Sequence, residues 1–546
     1  MLPPPGFRGV FRDDLRARAA YAEAAGIYRM LPAAVCRPAD VADVAALVRW
    51  AGGTGTPLIP RGAGSGMAGG NVGDGLVVDL TGLPPRLTIH SETRTAVTSA
   101  GITLGELNGA ADRHGLRLPP DPSSGRWATL GGMLSTNAAG ARSVRYGSVR
   151  RWVRAAELVT GEGETITLRR GEPAPASAAL ERFAAEVAPA IRAAAATIAH
   201  RFPRTRKNSS GYALDAFLAS GEVLDLVIGA EGTLGIVTGV EWRLDPVPRH
   251  RAALRIGLRD ADDLVPVVAA LLARDPSAVE LLDRTFLDLV RDSEAGAGTA
   301  DVEALLLVEI ERPDSSALRA AVESAADAVR SRAAGLDTAL SPRAAERLWA
   351  VRHAASPILA SLPEERRSLQ VIEDACVPVD RMGEYIRTVR RAAAARRIPV
   401  VVFGHAGDGH VHVNLLPEVA SPGWETAVAS LLEEVSEAVI RLGGTPSGEH
   451  GDGRLRAGLL ERVYGDELLG LFRRVKRCFD PLGILAPGVI LPSGDPPICR
   501  LKVGAEAVTL PKDIAAALRE IERTGGYGRS RMDLASARPS TLDPRP

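Results

Sequence analysis

The chain has 546 residues, 66 basic and 66 acidic side chains and a pI near 7.2. That length exceeds what one hydrophobic core serves, so two large domains are expected. The balanced charge, with no basic or acidic block, excludes a nucleic-acid or anionic-membrane surface as the organising feature. Nearly every cation is Arg, a coding bias rather than a device. Cys36, Cys376, Cys478 and Cys499 are far apart with no C-x-x-C, which excludes a disulfide framework, a zinc ribbon and an in-chain iron–sulfur cluster. Without an apolar leader or an 18-residue apolar run, the expectation is a cytoplasmic protein with no transmembrane segment.

Residues 1–30 read as an N-terminal arm with one alanine- and arginine-rich helix over 11–26, a packing appendage. An amphipathic helix follows over 41–51, with Val41, Val44, Ala45 and Val48 on one face. A strand over 56–59 then feeds the loop Ile59-Pro60-Arg61-Gly62-Ala63-Gly64-Ser65-Gly66-Met67-Ala68-Gly69-Gly70. Glycines let backbone N–H groups approach an anion closely, and Arg61 adds a fixed cation, so the loop is expected to cradle phosphate. Gly64, Gly66 and Gly69 also spell G-x-G-x-x-G, but that dinucleotide fingerprint needs a helix directly after it. Here a turn over 71–75 and a strand over 76–80 come next. The nicotinamide-type Rossmann reading therefore fails.

A strand is expected over 87–98 and a helix over 103–114, closed by Gly115. The rigid turn at 118–124 holds Pro120, Asp121 and Ser124, and serves either as a connector or as a wall beside a cofactor. Residues 129–140 are mostly small, with Gly131, Gly132 and Gly140 and polar groups at Ser135 and Asn137. Such a stretch lets backbone lie against a flat ring system while amides bond its edge; a tightly packed helix start is the plainer alternative. Strands over 153–159 and 164–168, a helical insert over 176–199 and a loop over 207–212 follow. A second Gly-rich stretch, 228–238, leads into a strand.

Around Pro246-Val247-Pro248 the composition changes, and the domain boundary is placed there. The second half alternates strands over 252–258, 305–311, 369–377 and 399–405 with alanine-rich helices, an α+β pattern with an antiparallel sheet. Residues 491–546 lose periodicity and read as a tail with one helix, 511–524.

Residues 401–415 read as a hairpin whose turn is Ala406-Gly407-Asp408-Gly409. Pairing His405 with His410 puts His405, His410 and His412 on one face. Three imidazoles in an apolar strand pair are costly unless they share a partner, and a metal is such a partner; a hydrogen-bonded polar cluster is the alternative. Three of the nine histidines sit here, and His450 lies in Ser447-Gly448-Glu449-His450-Gly451-Asp452-Gly453.

The helix–strand–loop–strand order around Pro60, Arg61, Gly62, Ala63, Gly64, Ser65 and Gly66 resembles the PCMH-type FAD-binding domain of the vanillyl-alcohol-oxidase superfamily. So do the small-residue stretch and the sequence Gly229-Ala230-Glu231-Gly232-Thr233-Leu234-Gly235-Ile236-Val237-Thr238. By that resemblance residues 31–247 bind FAD through this loop, Pro120, Asp121, Ser124, Gly131, Gly132, Ser135, Asn137, Gly140, Glu231, Gly232 and Ile236. Some members carry a flavin-linking His where this chain has Ser65, which implies non-covalent attachment through this loop. Residues 248–490 resemble the FAD-linked oxidase C-terminal domain, an antiparallel sheet covered by helices.

The histidine stretches resemble the metal-dependent branch of D-lactate and D-2-hydroxyglutarate dehydrogenases and the glycolate oxidase flavin subunit. That resemblance makes His405, His412 and Glu449 ligands of Zn²⁺, Mn²⁺ or Fe²⁺, and His450 the base. His410 stands where Asn is usual, its role open between substrate contact and extra ligand. Arg352 is placed to bind the substrate carboxylate, a surface helix arginine being the alternative, and Asn414 to hold the substrate or an imidazole. The implied reaction oxidises a small 2-hydroxy acid to the 2-oxo acid, with hydride passing to flavin N5. Electrons would then leave to a separate redox protein or a quinone, and a homodimer is allowed. An alkyl-glycerone-phosphate synthase-like transferase, a phenol oxidase and a non-catalytic FAD electron-transfer subunit are the competing readings. Leu485-Ala486-Pro487-Gly488-Val489 departs from the branch's N-P-G-K-like ending.

Overall fold

The computed structural model describes residues 1–293 and 299–536. The first half contains three sheets, the smallest being the antiparallel pair Leu116–Arg117 and Asp245–Pro246. The first has four strands in the order Val10–Arg12, Ala34–Arg37, Leu76–Asp79, Leu58–Arg61. Its last three strands are parallel, and the helix Val41–Thr54 makes the crossover between the first two of these in sequence. That helix starts where Asp40 accepts from the Asp43 N–H and stops at Gly55 in the left-handed region, φ +68°. The second sheet is antiparallel, in the order Leu87–His90, Thr95–Ser99, Ile236–Arg243, Val153–Val159, Thr165–Arg169.

The second half forms one seven-stranded antiparallel sheet: Gly335–Ala339, His250–Leu258, Ala304–Arg312, Ala278–Asp283, Val400–His405, His410–Leu415, Ala375–Cys376. The helices Leu264–Leu272, Ser315–Val329, Met382–Ala395 and Trp424–Arg441 cover it, supplying Val268, Val322, Val389 and Val435 to a core shared with Leu306 and Val308. Burying each such side chain is worth about 1.5–3 kcal/mol. No helix among the described residues is long and apolar enough to cross a membrane.

Four expectations need correction. The helix expected over 11–26 is only Leu15–Ala20, because residues 10–12 pair with Ala34–Arg37 as a sheet edge. The arm is more than an appendage, since it also carries Tyr21, whose hydroxyl donates to Asp79 at 2.5 Å. Residues 87–98 are a hairpin of two strands, not one. Only Ala375–Cys376 of 369–377 forms a strand, because Glu373 and Asp374 turn inward there as buried carboxylates. The strands Ala278–Asp283 and Gly335–Ala339 were not anticipated.

Beyond residue 490 the tail folds back. The helix Lys512–Thr524 and the helix Arg531–Ser536 bury Ile514, Leu518, Ile521 and Leu534 against Ala17, Ala20 and Tyr21 of the arm. Residues 537–546 of the expected tail lie outside the described residues.

Candidate flavin and metal site

The loop after strand Leu58–Arg61 lines a cleft. Its walls include Pro60, Gly62, Ala63, Gly64, Ser65, Gly66, Ser124, Gly131, Gly132, Ser135, Glu231 and Gly232, and its far end is Glu449 and His450. The loop needs its glycines: Gly64 sits at φ +79°, and a Cβ on Gly62 would lie 2.1 Å from Thr129 Oγ1. The wall of small residues and free backbone fits an extended, flat, phosphate-bearing group such as FAD.

Arg61 does not play the expected part. Its backbone belongs to the loop, but its guanidinium is buried and donates to the carbonyls of Tyr21 (3.1 Å), Glu23 (2.7 Å) and Asn71 (3.3 Å). It shapes the loop by holding the arm. Pro120, Asp121, Asn137, Gly140 and Ile236 do not line the cleft. Asp121 accepts instead from the backbone and guanidinium of Arg142, which also grips Glu309 across the two halves. Asn137 sits at φ +50° and accepts from the Arg150 N–H, while Val237 reaches the cleft in place of Ile236.

The histidine hairpin forms as its spacing predicts, with His405 opposite His410 and Phe403 opposite His412. The turn is tight: a Cβ on Gly404 would meet His410 O at 2.3 Å. The rings of His405, His410 and His412 lie 4.6–5.3 Å apart on one face.

Each imidazole is oriented by a partner behind it. His405 Nδ1–H donates to Glu280 Oε1 at 2.5 Å, and His412 Nδ1–H to the Glu373 carbonyl at 2.7 Å. Both therefore turn Nε2 inward, 3.3 Å apart, with Glu449 Oε1 at 3.3 and 3.5 Å. Two ring lone pairs and a carboxylate oxygen converge with no donor between them, an arrangement that needs a cation. The donor set fits a divalent ion. In the metal-free protein a proton serves: burial pulls the His405 imidazole down, but Glu280 outweighs it and lifts the group to about 9.

His450 stacks on His412, ring centroids 5.5 Å apart, and donates from Nδ1 to Glu373 Oε2 at 2.6 Å. Its Nε2 faces Glu449 Oε1 at 3.5 Å. Burial lowers His450, yet Glu373 and Asp374 raise it to about 10. Arg456 closes the far side, donating to Glu373 and to the Gly451 carbonyl.

His410 lies close enough to His405, His412 and Glu449 to share an ion with them, and its nitrogens also have protein partners. Its Nε2–H donates to Asp374 Oδ1 at 2.9 Å, and Lys207 Nζ lies 3.4 Å from its Nδ1, so both nitrogens are engaged. It is fully buried, and burial with the Lys207 charge beside it lowers it to about 3, keeping it neutral. Arg352 lies one carboxylate away from the ligands: its Nε donates to Glu280 Oε2 at 3.0 Å and its guanidinium stacks on Phe403 at 4.7 Å. Asn414 shares the histidine face, is 6% exposed, and its amide has no hydrogen-bond partner among the described residues. Glu231 reaches across the two halves, accepting from the N–H groups of Asp452 (2.7 Å) and Gly453 (3.0 Å) in the loop that carries Glu449 and His450.

Sequence reasoning missed Glu280, Glu373, Asp374, Lys207 and Arg456. Glu280 had a signal, a lone carboxylate at an inward position of the apolar run Ala278-Val279-Glu280-Leu281-Leu282.

Comparison with known proteins agrees with this architecture. Residues 32–169 match the family described as FAD binding domain, and residues 247–490 match FAD linked oxidases, C-terminal domain. The D-lactate dehydrogenase of Archaeoglobus fulgidus is 30% identical over 464 residues, 84% of this chain and 91% of that protein. The glycolate oxidase subunit GlcD of Bacillus subtilis is 28% identical, covering 88% of this chain and 93% of the relative. The D-2-hydroxyglutarate dehydrogenase of Pseudomonas putida is 29% identical over 95% of this chain but only 53% of its own length. The solved 4-ethylphenol oxidase from Gulosibacter chungangensis shares the fold, with a TM-score of 0.66 at 17% identity over 88% of this chain and 94% of that one. The chain belongs to the FAD-linked oxidases, as an FAD-dependent oxidoreductase of the branch that includes D-lactate dehydrogenase, the glycolate oxidase flavin subunit and D-2-hydroxyglutarate dehydrogenase.

Proposed function

We propose that the protein oxidises a small 2-hydroxy acid to the 2-oxo acid, with residues 31–247 holding FAD and residues 248–490 holding a divalent ion and the substrate. The observation that carries this is the convergence of His405 Nε2, His412 Nε2 and Glu449 Oε1 at the end of the flavin cleft. The names of the similar proteins point to the same substrate class. When bound, the flavin supplies a hydride acceptor and the ion a Lewis acid that acidifies the hydroxyl.

The chain's own groups do the rest. His450 takes the hydroxyl proton at Nε2, while Glu373 at Nδ1 fixes its ring and stabilises the imidazolium that forms. Before it can accept, His450 must be neutral, and positive charge near Glu449 opposes the carboxylates that raise it. Arg352 meets the substrate carboxylate with its terminal nitrogens, because Nε is committed to Glu280. Asn414 offers its unpartnered amide to the substrate. Asp374 holds the loop, accepting from Ser447 Oγ at 2.7 Å and the His450 N–H at 2.9 Å.

The test is anaerobic mixing of FAD- and metal-loaded protein with D-lactate, L-lactate, glycolate and D-2-hydroxyglutarate. Bleaching of the flavin absorbance by at least one acid is expected. No bleaching by any of them would refute the reading and favour a same-fold transferase or an electron-transfer subunit. His450→Ala should stay yellow but reduce about 10²–10⁴-fold more slowly; an unimpaired variant removes the base assignment.

A further inference from the structure

Only four of the 66 basic residues are lysines, and one of them, Lys207, is buried at 5% exposure in the wall of the candidate metal site. Its Nζ lies 3.2 Å from Glu449 Oε2, 3.2 Å from the Gly140 carbonyl, 3.4 Å from Asp408 Oδ2 and 3.4 Å from His410 Nδ1. Four acceptors surround an ammonium with three protons, so none is left for a substrate. The two oxygens of Glu449 thus face different charges: Oε1 the three inward imidazole nitrogens, Oε2 this lysine.

We infer that Lys207 is a positioning residue that confines Glu449 to one-oxygen coordination and so keeps a position on the ion open for the substrate. This rests on the metal reading above. Carboxylates bind ions through one or both oxygens, and a second Glu449 oxygen would fill a site that catalysis needs vacant. The lysine cannot drift from its task. Ser209 donates from N–H to the Ser447 carbonyl (2.9 Å) and from Oγ to the Gly448 carbonyl (3.2 Å), and the Gly211 N–H donates to Asp452 (2.7 Å). Lys207 and Glu449 therefore sit on two loops sewn together. A compact ammonium with diverging donors suits the four-sided cage; a planar guanidinium does not.

Cobalt reports coordination number by colour, fewer ligands giving stronger ligand-field absorption. Wild-type, FAD-loaded protein should take up one Co²⁺ per chain with the intense spectrum of a low-coordinate ion. Lys207→Met should still hold flavin and one Co²⁺, but lose about threefold or more of that intensity as Glu449 closes onto the ion. A Met variant with the wild-type spectrum overturns the inference while leaving the metal reading intact. Wild-type protein that binds no Co²⁺ overturns both. Should the variant fail to fold, X-ray absorption of the wild-type zinc protein decides: a one-oxygen carboxylate supports the inference and a chelating one overturns it.

Discussion

Replacing Glu280 by glutamine isolates what this carboxylate does for its imidazole. It is fully buried and accepts from His405 Nδ1 at 2.5 Å and Arg352 Nε at 3.0 Å. Burial alone would raise Glu280, but His405 first and Arg352 second bring it down to about 2, as the same contact lifts His405 from 6.5 to about 9. Counted once, that interaction is worth about 3 kcal/mol at roughly 1.36 kcal/mol per pH unit. In the metal-free protein its stabilisation is full below the ordinary His value of 6.5 and lost as pH rises through about 9. At the acid end it is lost as pH falls from 4.5 through about 2. An entering ion must displace the His405 proton, so wild-type affinity should climb about tenfold per pH unit between about 7 and 9, then level off. The amide introduced by Glu280→Gln has one acceptor and one donor end and cannot accept from both neighbours. The climb should therefore move below pH ~7, and above pH ~9 the variant should bind about 10–100-fold more weakly. Competition with a chromophoric chelator across this range measures both curves. A flat wild-type curve, or two parallel ones, would refute the reasoning.

Three further outcomes are expected. Burial first and Asp452 second raise Glu231 to about 8, so the folded chain keeps a proton that the unfolded chain releases from 4.5 upward, and stability falls as pH rises between these values. Glu231→Gln should flatten that fall in thermal melts at pH ~6 and ~8.5; unchanged slopes would count against it. Gly453→Ala combines φ +53° with a Cβ 1.9 Å from the Ala68 carbonyl, and should cost about 3 kcal/mol or more and release flavin, read by melting and fluorescence. Arg61→Lys should weaken FAD binding about tenfold, because one ammonium cannot reach three carbonyls, with no change in its salt dependence. A shallower salt slope in equilibrium dialysis would mean that Arg61 touches the diphosphate after all.

The flavin cleft and the histidine hairpin were legible because each is local. Glycine spacing defines the loop, and a period of two with an Asp-Gly turn sets His405, His410 and His412 on one face. The oriented partners were not legible, because each joins the site across the sheet or from another loop: Glu280 from a neighbouring strand, Lys207 from residue 140's side of the cleft, Glu373 and Asp374 from a stretch whose apolar flanks imitate a strand. Arg61 misled for a related reason. A cation in a glycine loop suggests an anion in front of it, but the arm behind it supplies two carbonyls and Asn71 a third. Asp121 likewise carries an acidic group that binds another part of the chain, Arg142.

The packing of the last helices on Tyr21 has a consequence for biosynthesis. Tyr21 supports the Arg61 guanidinium from below, ring centroid 5.4 Å away, and is itself covered by Leu510, Ile514 and Leu518. A nascent chain that has not yet reached residue 510 still lacks the lid on that shelf. Coenzyme uptake should therefore wait until residues 510–518 have been made, and polypeptides arrested near residue 500 should emerge colourless even though every glycine of the loop is already present.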